Sequence, residues 1–381
     1  MLITQAYELV NKTTSEMLGR ENVLNEDLSN VVDVGKELFN ANSVDAYVKS
    51  LVNRIGRTWF VDRQFTSIAP DIFMDGWEYG SVSMKIQAEL PEAAENESWE
   101  LEDGSVYEQD MFYKPVVSAK FFNNRVTFEV PMSFTEMQVK QSFNSAQELG
   151  AFISMLYTAV ENSMTLKIDS LAMRTINNFI SATYKAEISS SVKTGIRAIN
   201  LLELYNNEFT KTLTASKCLK DTDFIKYASY TMNLYKKRLE KPSSLFNIGG
   251  KARFTPSDRL KIIMLDEFSS AANFYLQADT FNENFTRLPN AFTVPYWQGS
   301  GTQYDFSNTS KIMVTNADNN TITVTGVLCV MFDRWALGIN NYNRRVTSHY
   351  NSKAEFFNNW YKMDAQYFND YNENFIMFFV A

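Results

Sequence analysis

The stretch from Ser145 to about Tyr184 constrains this chain more than any other. Ser145 and Glu148 form an S-x-x-E capping box, in which the Ser oxygen accepts from an orphan N–H and the Glu reaches back. Apolar residues then recur at helical spacing: Leu149, Phe152, Ile153, Leu156, Val160, Met164, Ile168, Leu171, Ile176, Phe179 and Ile180. No Pro interrupts the run, and no Gly follows Gly150. Such a helix is a rod on the order of 60 Å long at 1.5 Å per residue. It must cross a whole flat subunit or join a coiled coil. The apolar steps drift and take in Ser163 and Thr175, so there is no clean a/d seam. The stretch therefore reads as the spine of a broad, thin molecule.

The chain has 381 residues, 14% of them aromatic, and only one His. A chain of this length and apolar content can bury a large core. One His leaves little room for imidazole chemistry. The formal net charge of −8 rules out coating DNA over the whole surface, yet it suits either ordinary solubility or a wall beside DNA. Cys218 and Cys329 are far apart, which excludes a disulfide framework or a thiolate metal site and fits a reducing cytoplasm. The N-terminus lacks the continuous apolar segment of a signal peptide, and no run reaches the length of a membrane span.

Around the spine the periodicity changes. Residues 1–56 read as weakly amphipathic helices. From Arg57 to Met132 the period is two: strands are expected at Trp59-Phe60, Ile72–Met74, Val82–Ala88, Val116–Phe122 and Val126–Val130. Between them runs an acidic segment, Glu89 to Asp110, and no Lys or Arg occurs from Ile86 to Tyr113. It reads as the tip of a long two-stranded excursion that needs a neighbouring surface. Pro131-Met132 is expected to close the sheet, with a short helix at Phe134–Phe143 before the spine. Residues 196–335 read as a mixed block, with helices at Ile199–Phe209, Thr222–Leu239 and Asp266–Leu276 and buried strands at Leu260–Leu265 and Val327–Phe332. A hairpin is expected around Asn316–Asn320, a turn at Asp333–Ile339, and terminal strands at Arg345–Tyr350, Phe356–Met363 and Phe375–Val380.

Chemistry-bearing patterns are sparse. His349 stands alone, Gly249-Gly250-Lys251 is no phosphate loop, and no nucleophile elbow or dinucleotide fingerprint occurs. Asp266-Glu267 after a buried strand suits a helix N-terminus better than a catalytic site. Lys236-Lys237-Arg238 suits a helix C-terminus. No catalytic, cofactor-binding or metal-ligating residue is therefore assigned. The candidate functional contacts are electrostatic: Glu92, Glu95, Glu97, Glu100, Glu102 and Asp103 of the acidic segment, facing Arg344 and Arg345 of another copy.

The order of these elements resembles the major capsid proteins of tailed bacteriophages, of the Hong Kong 97 type. Locally, the resemblance is carried by a late strand, the D-R-x-A-L-G turn (Asp333, Arg334, Ala336, Leu337, Gly338), the Y-F-N-D run at Tyr367–Asp370 and a final apolar strand. It implies an α+β capsid fold. Residues 1–56 would be an N-terminal arm, 57–131 an extended loop with its base strands, and 132–195 a peripheral domain holding the spine. Residues 196–335 would be an axial domain and 336–381 the returning C-terminal strands. It further implies a non-enzymatic shell subunit without cofactors, made in the host bacterial cytoplasm and incorporated in the virion. Its partners would be copies of itself in hexamers and pentamers, a portal, scaffolding or decoration proteins, and packaged double-stranded DNA, with no membrane. The short segment before the loop argues for a separate scaffolding protein or none. Two other readings are an encapsulin-like nanocompartment shell on the same fold and a soluble enzyme using carboxylates such as Asp266 and Glu267.

Overall fold

The computed structural model describes residues 3–19, 23–25, 30–40, 50, 72–74, 83–89, 96, 99–107, 110, 114–142, 146–278, 291–297, 311–315 and 319–381. The strand expected at Trp59-Phe60, most of the helix expected after Ser43, and the Ser145 cap lie outside these residues. Two N-terminal helices, α1 (Ile3–Leu18) and α2 (Val31–Asn40), precede four strands. These are β1 (Phe73–Met74), β2 (Ser83–Ala88), β3 (Val117–Phe122) and β4 (Arg125–Thr135). A short helix α3 (Glu136–Ser142) leads to α4 (Ala146–Glu187), the 42-residue spine. Then come β5 (Ala198–Asn200), α5 (Leu201–Phe209), α6 (Ala215–Cys218), α7 (Thr222–Leu239), β6 (Leu260–Leu265) and α8 (Asp266–Ala278). The chain closes with β7 (Phe292–Val294), β8 (Ile312–Thr315), β9 (Thr321–Val324), β10 (Val327–Asp333), β11 (Leu337–Asn351), β12 (Phe356–Asn369) and β13 (Phe375–Phe379).

Two sheets share the spine. One has the order β1-β11-β12-β4, the other β5-β13-β10-β6-β7. In β4 the alternation is regular: Val126, Phe128, Val130, Met132 and Phe134 turn inward, while Arg125, Thr127, Glu129, Pro131, Ser133 and Thr135 face out. The first sheet is therefore half-solvated, and its outer face is laced by Thr127–Asp364, Ser133–Asn358 and Lys362–Glu129 pairs. The five-stranded sheet is buried on both faces. Val330, Phe332, Ile263, Phe375 and Met377 face the spine, whereas Met331, Ile262, Met264, Ile376 and Phe378 face α5, α7 and α8. A register shift at Val327/Cys329 lets Leu328 and Cys329 both join the helical side.

The spine is buried on most of its circumference from Leu171 to Thr183, which explains why its apolar positions drift. Phe179 stacks on Phe375 with ring centroids 4.2 Å apart, and Tyr184 meets Phe379 edge-on at 5.5 Å. Thr175, the polar residue in the apolar face, is satisfied by donating to the Leu171 carbonyl at 2.8 Å. The helix ends three residues later than the sequence suggests. There the Glu187 carboxylate accepts from the backbone N–H groups of Arg197 and Ala198, both at 2.8 Å, and pairs with the Arg197 guanidinium. A Cβ at residue 195 would meet that carboxylate at 2.1 Å, so only Gly195 lets the chain return so closely.

Three sequence expectations need correction. Pro131 does not close the sheet: β4 continues to Thr135, because it is the edge strand, where a missing N–H is tolerated. Phe134 is accordingly the last inward residue of the strand, packed on Phe357, and the short helix starts at Glu136. A reciprocal box starts it, with Gln138 N–H on the Thr135 hydroxyl and Thr135 N–H on the Gln138 side chain. The expected turn at Asp333–Ile339 is also shorter, since β11 begins at Leu337.

Candidate assembly interface

Strands β2 and β3 form a separate two-stranded ribbon with Ile86 opposite Ala119 and Ala88 opposite Val117. Alternation sorts its side chains onto two faces, and their polarity is the reverse of the usual. The face turned to solvent carries Ile86, Ala88, Val117, Ala119 and Phe121; Ile86 is 60% and Phe121 64% exposed. The face turned to the protein carries Lys85, Gln87, Ser118 and Lys120.

The inward cations have a receptor. Lys85 Nζ lies 2.8 Å from Asp370 and 2.5 Å from Glu373, and Lys120 Nζ lies 2.9 Å from the other Asp370 oxygen. Gln87 donates to Glu373 at 2.8 Å, and Phe122 packs on Phe368 at 4.8 Å. At the end of β2, Glu89 pairs with Lys251, which holds its carboxyl below the usual range. Burial pushes the Asp370 carboxyl upward, but the Lys85 and Lys120 ammonium groups outweigh it and hold it below its ordinary value. Beneath the ribbon is a cleft of about 630 Å³ lined by Arg253, Arg259, Asp333 and Trp335 among others. Burial, with Glu373 nearby, raises Asp333 despite the Trp335 N–H that donates to it.

Beyond the strands the ribbon carries the acidic segment. Glu100, Glu102 and Asp103 are exposed, next to a turn at Asp103-Gly104 where Gly104 adopts φ +89°. Trp99, Leu101 and Val106 stand in solvent beside them. Glu92, Glu95 and Glu97 lie outside the described residues. Within one copy, Arg344 and Arg345 pair with acids outside this segment. A bulge at Asn343, with φ 52°, sends the two guanidiniums to different partners. Arg344 reaches Glu161 of the spine at 2.5 Å, and Arg345 grips Asp364 of β12 at 2.6 and 3.2 Å. Burial raises Asp364, but Arg345, Thr127 and Asn343 prevail and keep it low. Both arginines therefore serve the fold of their own chain. The docking residues Lys85, Lys120, Asp370 and Glu373 were not singled out from sequence. The available signal was the lysine on each strand between apolar neighbours, and it does not say which face turns inward.

Among the described residues no group of three or more His, Cys, Asp or Glu side chains could hold a metal ion. Both cysteines are buried, and burial pushes the Cys218 thiol up to about 11.

A family model described as Phi29-like phage major capsid protein matches residues 10–379. A solved structure of the head fiber and inner core protein gp22 of native bacteriophage P68 contains a similar chain. That likeness has a TM-score of 0.51 and 12% identity, over 85% of this chain and 87% of that one. The capsid structure of Staphylococcus phage Andhra matches with a TM-score of 0.48 and 10% identity, over 85% and 88% of the two chains. Comparison with curated proteins gives no match.

Proposed function

The chain belongs to the Phi29-like phage major capsid protein family, and from that premise we propose how it builds the head. It is a major capsid protein of the virion, and no helix among the described residues is long and apolar enough to cross a membrane. Copies associate head to tail into hexamers and pentamers, the closed rings that heterologous contacts generate. Residues 57–131 are the extended loop, 132–195 the peripheral domain and 196–335 the axial domain of each copy, with 1–56 as an arm and 336–381 returning to both sheets. The subunit acts by contact, without catalysis. The completed head also meets a portal, scaffolding or decoration proteins and the packaged double-stranded DNA.

The observation that carries this reading is the inverted ribbon. A two-stranded ribbon is marginal alone. This one spends its charged face on its own chain and leaves Ile86, Val117 and Phe121 in water. Fully burying side chains of this size contributes about 1.5–3 kcal/mol each. In the head the ribbon lies over the neighbouring copy, with its apolar face covered. Negative-stain microscopy of the expressed protein, with and without Phe121→Lys, tests this. The unsubstituted chain forms shells, tubes or hexameric sheets, and the variant stays unassembled with an unchanged melting temperature. Normal particles from Phe121→Lys would refute the role of the ribbon.

A further inference from the structure

One line along the spine is exposed, bordered by β12 near its C-terminal half. Over the spine's described side chains that line carries Lys167, Arg174 and Lys185, all exposed. None of the three has a carboxylate partner among the described residues. The acids of the same stretch are engaged elsewhere: Glu161 with Arg344, Glu187 with Arg197 and two backbone N–H groups. Asp169 also has a partner. In a chain of net charge −8, this leaves a purely cationic line, about 27 Å from Lys167 to Lys185 at 1.5 Å per residue.

The line runs into a cleft of about 690 Å³ between the spine, the β8–β9 hairpin and β12. Among the described residues Arg174 and Lys185 are its charged lining, with no carboxylate beside them. The Arg174 guanidinium sits 5.9 Å from the centre of the Tyr367 ring, which orients it without neutralising it. Asn124, Asn178 and Tyr371 add neutral donors around the two cations. Two cations with amide and phenol donors are the set that contacts phosphate oxygens without reading bases. A linear array fits an extended polyanion better than a compact anion.

We infer that this face of the spine is the wall that meets the packaged genome, with Lys167, Arg174 and Lys185 each touching backbone phosphates of double-stranded DNA. The inference rests on the capsid reading and adds to it which surface of the plate points inward. Contact through three cations is weak and sequence-independent. That suits a wall that must hold DNA in register during filling and still release it.

The test combines two measurements on the full chain. Unassembled protein is titrated with a labelled DNA duplex from about 50 to 200 mM salt. The triple substitution Lys167→Gln, Arg174→Gln and Lys185→Gln weakens binding about tenfold or more at low salt, and the slope of log K against log salt falls by about 2.7, or 0.9 per lost contact. Removing the same charge from exposed positions elsewhere, as Lys217→Gln, Lys220→Gln and Lys241→Gln, leaves both within about twofold. An equal loss in the control, or an unchanged slope in the spine variant, overturns the inference. Cryo-electron microscopy of assembled shells supplies the second arm. The three residues line the inner wall; finding them on the outer wall overturns the inference while the capsid reading stands. If the chain forms no shells even with a scaffold supplied, the proposed mode of head building fails, and the titration still decides whether the spine binds DNA.

Discussion

Asp370 holds two ammonium groups on one carboxylate, at 2.8 and 2.9 Å, with its own side chain only 2% exposed. It joins two segments 250 and 285 residues apart in sequence, so it is the lock of the ribbon on the body of the subunit. Replacing Asp370 with Asn keeps the shape and removes the charge, and costs about 1.5–3 kcal/mol, the range for hydrogen bonds to charged groups. The folded carboxyl titrates below its ordinary value of 3.8, so its contribution is full above that pH and is lost as pH falls through the depressed value. Asp333 works in the opposite direction. Its carboxyl is held above 3.8, so it favours the folded chain at low pH, and that contribution is lost as pH rises through the raised value. Denaturant midpoints measured against pH therefore fall more steeply below 3.8 in the unsubstituted chain than in Asp370→Asn. Parallel curves offset by a constant would exclude carboxylate titration as the cause. Arg345 gives a second test at this scale. Arg345→Glu sets a second carboxylate beside that of Asp364, where Thr127 and Asn343 already donate. It lowers the melting temperature of the unassembled chain, whereas an arginine used only between copies would leave that value unchanged.

At the scale of elements, the spine shows what could be read from sequence and why. Its start, length and lack of Pro were legible, because a 42-residue helix imposes its period on every residue it buries. Its end was not, because the terminating partner is Glu187 reaching Arg197 and Ala198 across a turn closed by Gly195, a contact no local pattern announces. The same contrast holds elsewhere. Thr222–Leu239 was legible as a helix because Lys236, Lys237 and Arg238 complement its end, and the structure adds Asp221 as its cap. The extension of β4 through Pro131 was hidden, since edge or centre is decided by which strand pairs next to it. For the candidate interface, the ribbon was legible as alternation and its tip as unbroken acidity. The inward lysines were not, because period-two patterning fixes two faces and leaves open which one faces the protein. A one-residue bulge at Asn343, which no local pattern announces, turns Arg344 and Arg345 to separate partners within the chain. The spine's central packing yields a direct measure of its weight in the fold. Phe179 is fully buried and stacked on Phe375, so Phe179→Ala leaves a cavity shared by the helix and the five-stranded sheet. The cost is about 3–5 kcal/mol, read as a shift in denaturant midpoint. A loss near 1 kcal/mol would mean that the sheet holds together without the helix.

At the scale of the whole molecule, the proposed contact of the ribbon with a neighbouring copy assigns different work to its apolar face and its acidic tip, and kinetics can separate them. Burial of Ile86, Val117 and Phe121 is insensitive to moderate salt and supplies affinity. Charges at the rim of an interface act mainly on the encounter rate and are screened beyond about 10 Å at 0.1 M salt. Glu100, Glu102 and Asp103 are exposed next to the tip turn, in a segment with no Lys or Arg of its own from Ile86 to Tyr113. Arg344 and Arg345 are engaged by Glu161 and Asp364 within one copy, so any pairing with a neighbour's tip competes with those contacts. The triple substitution Glu100→Gln, Glu102→Gln and Asp103→Asn removes three charges without touching the apolar face. Followed by light scattering, assembly of the unsubstituted chain slows as salt rises. The variant assembles more slowly at low salt, by about tenfold within the range that steering spans, and loses most of its salt dependence, while its final yield of particles is unchanged. Phe121→Lys gives the converse result, abolishing yield at every salt concentration. If the charge variant keeps the full salt dependence, the acidic tip is a solvated surface, and association is guided by charges elsewhere on the plate.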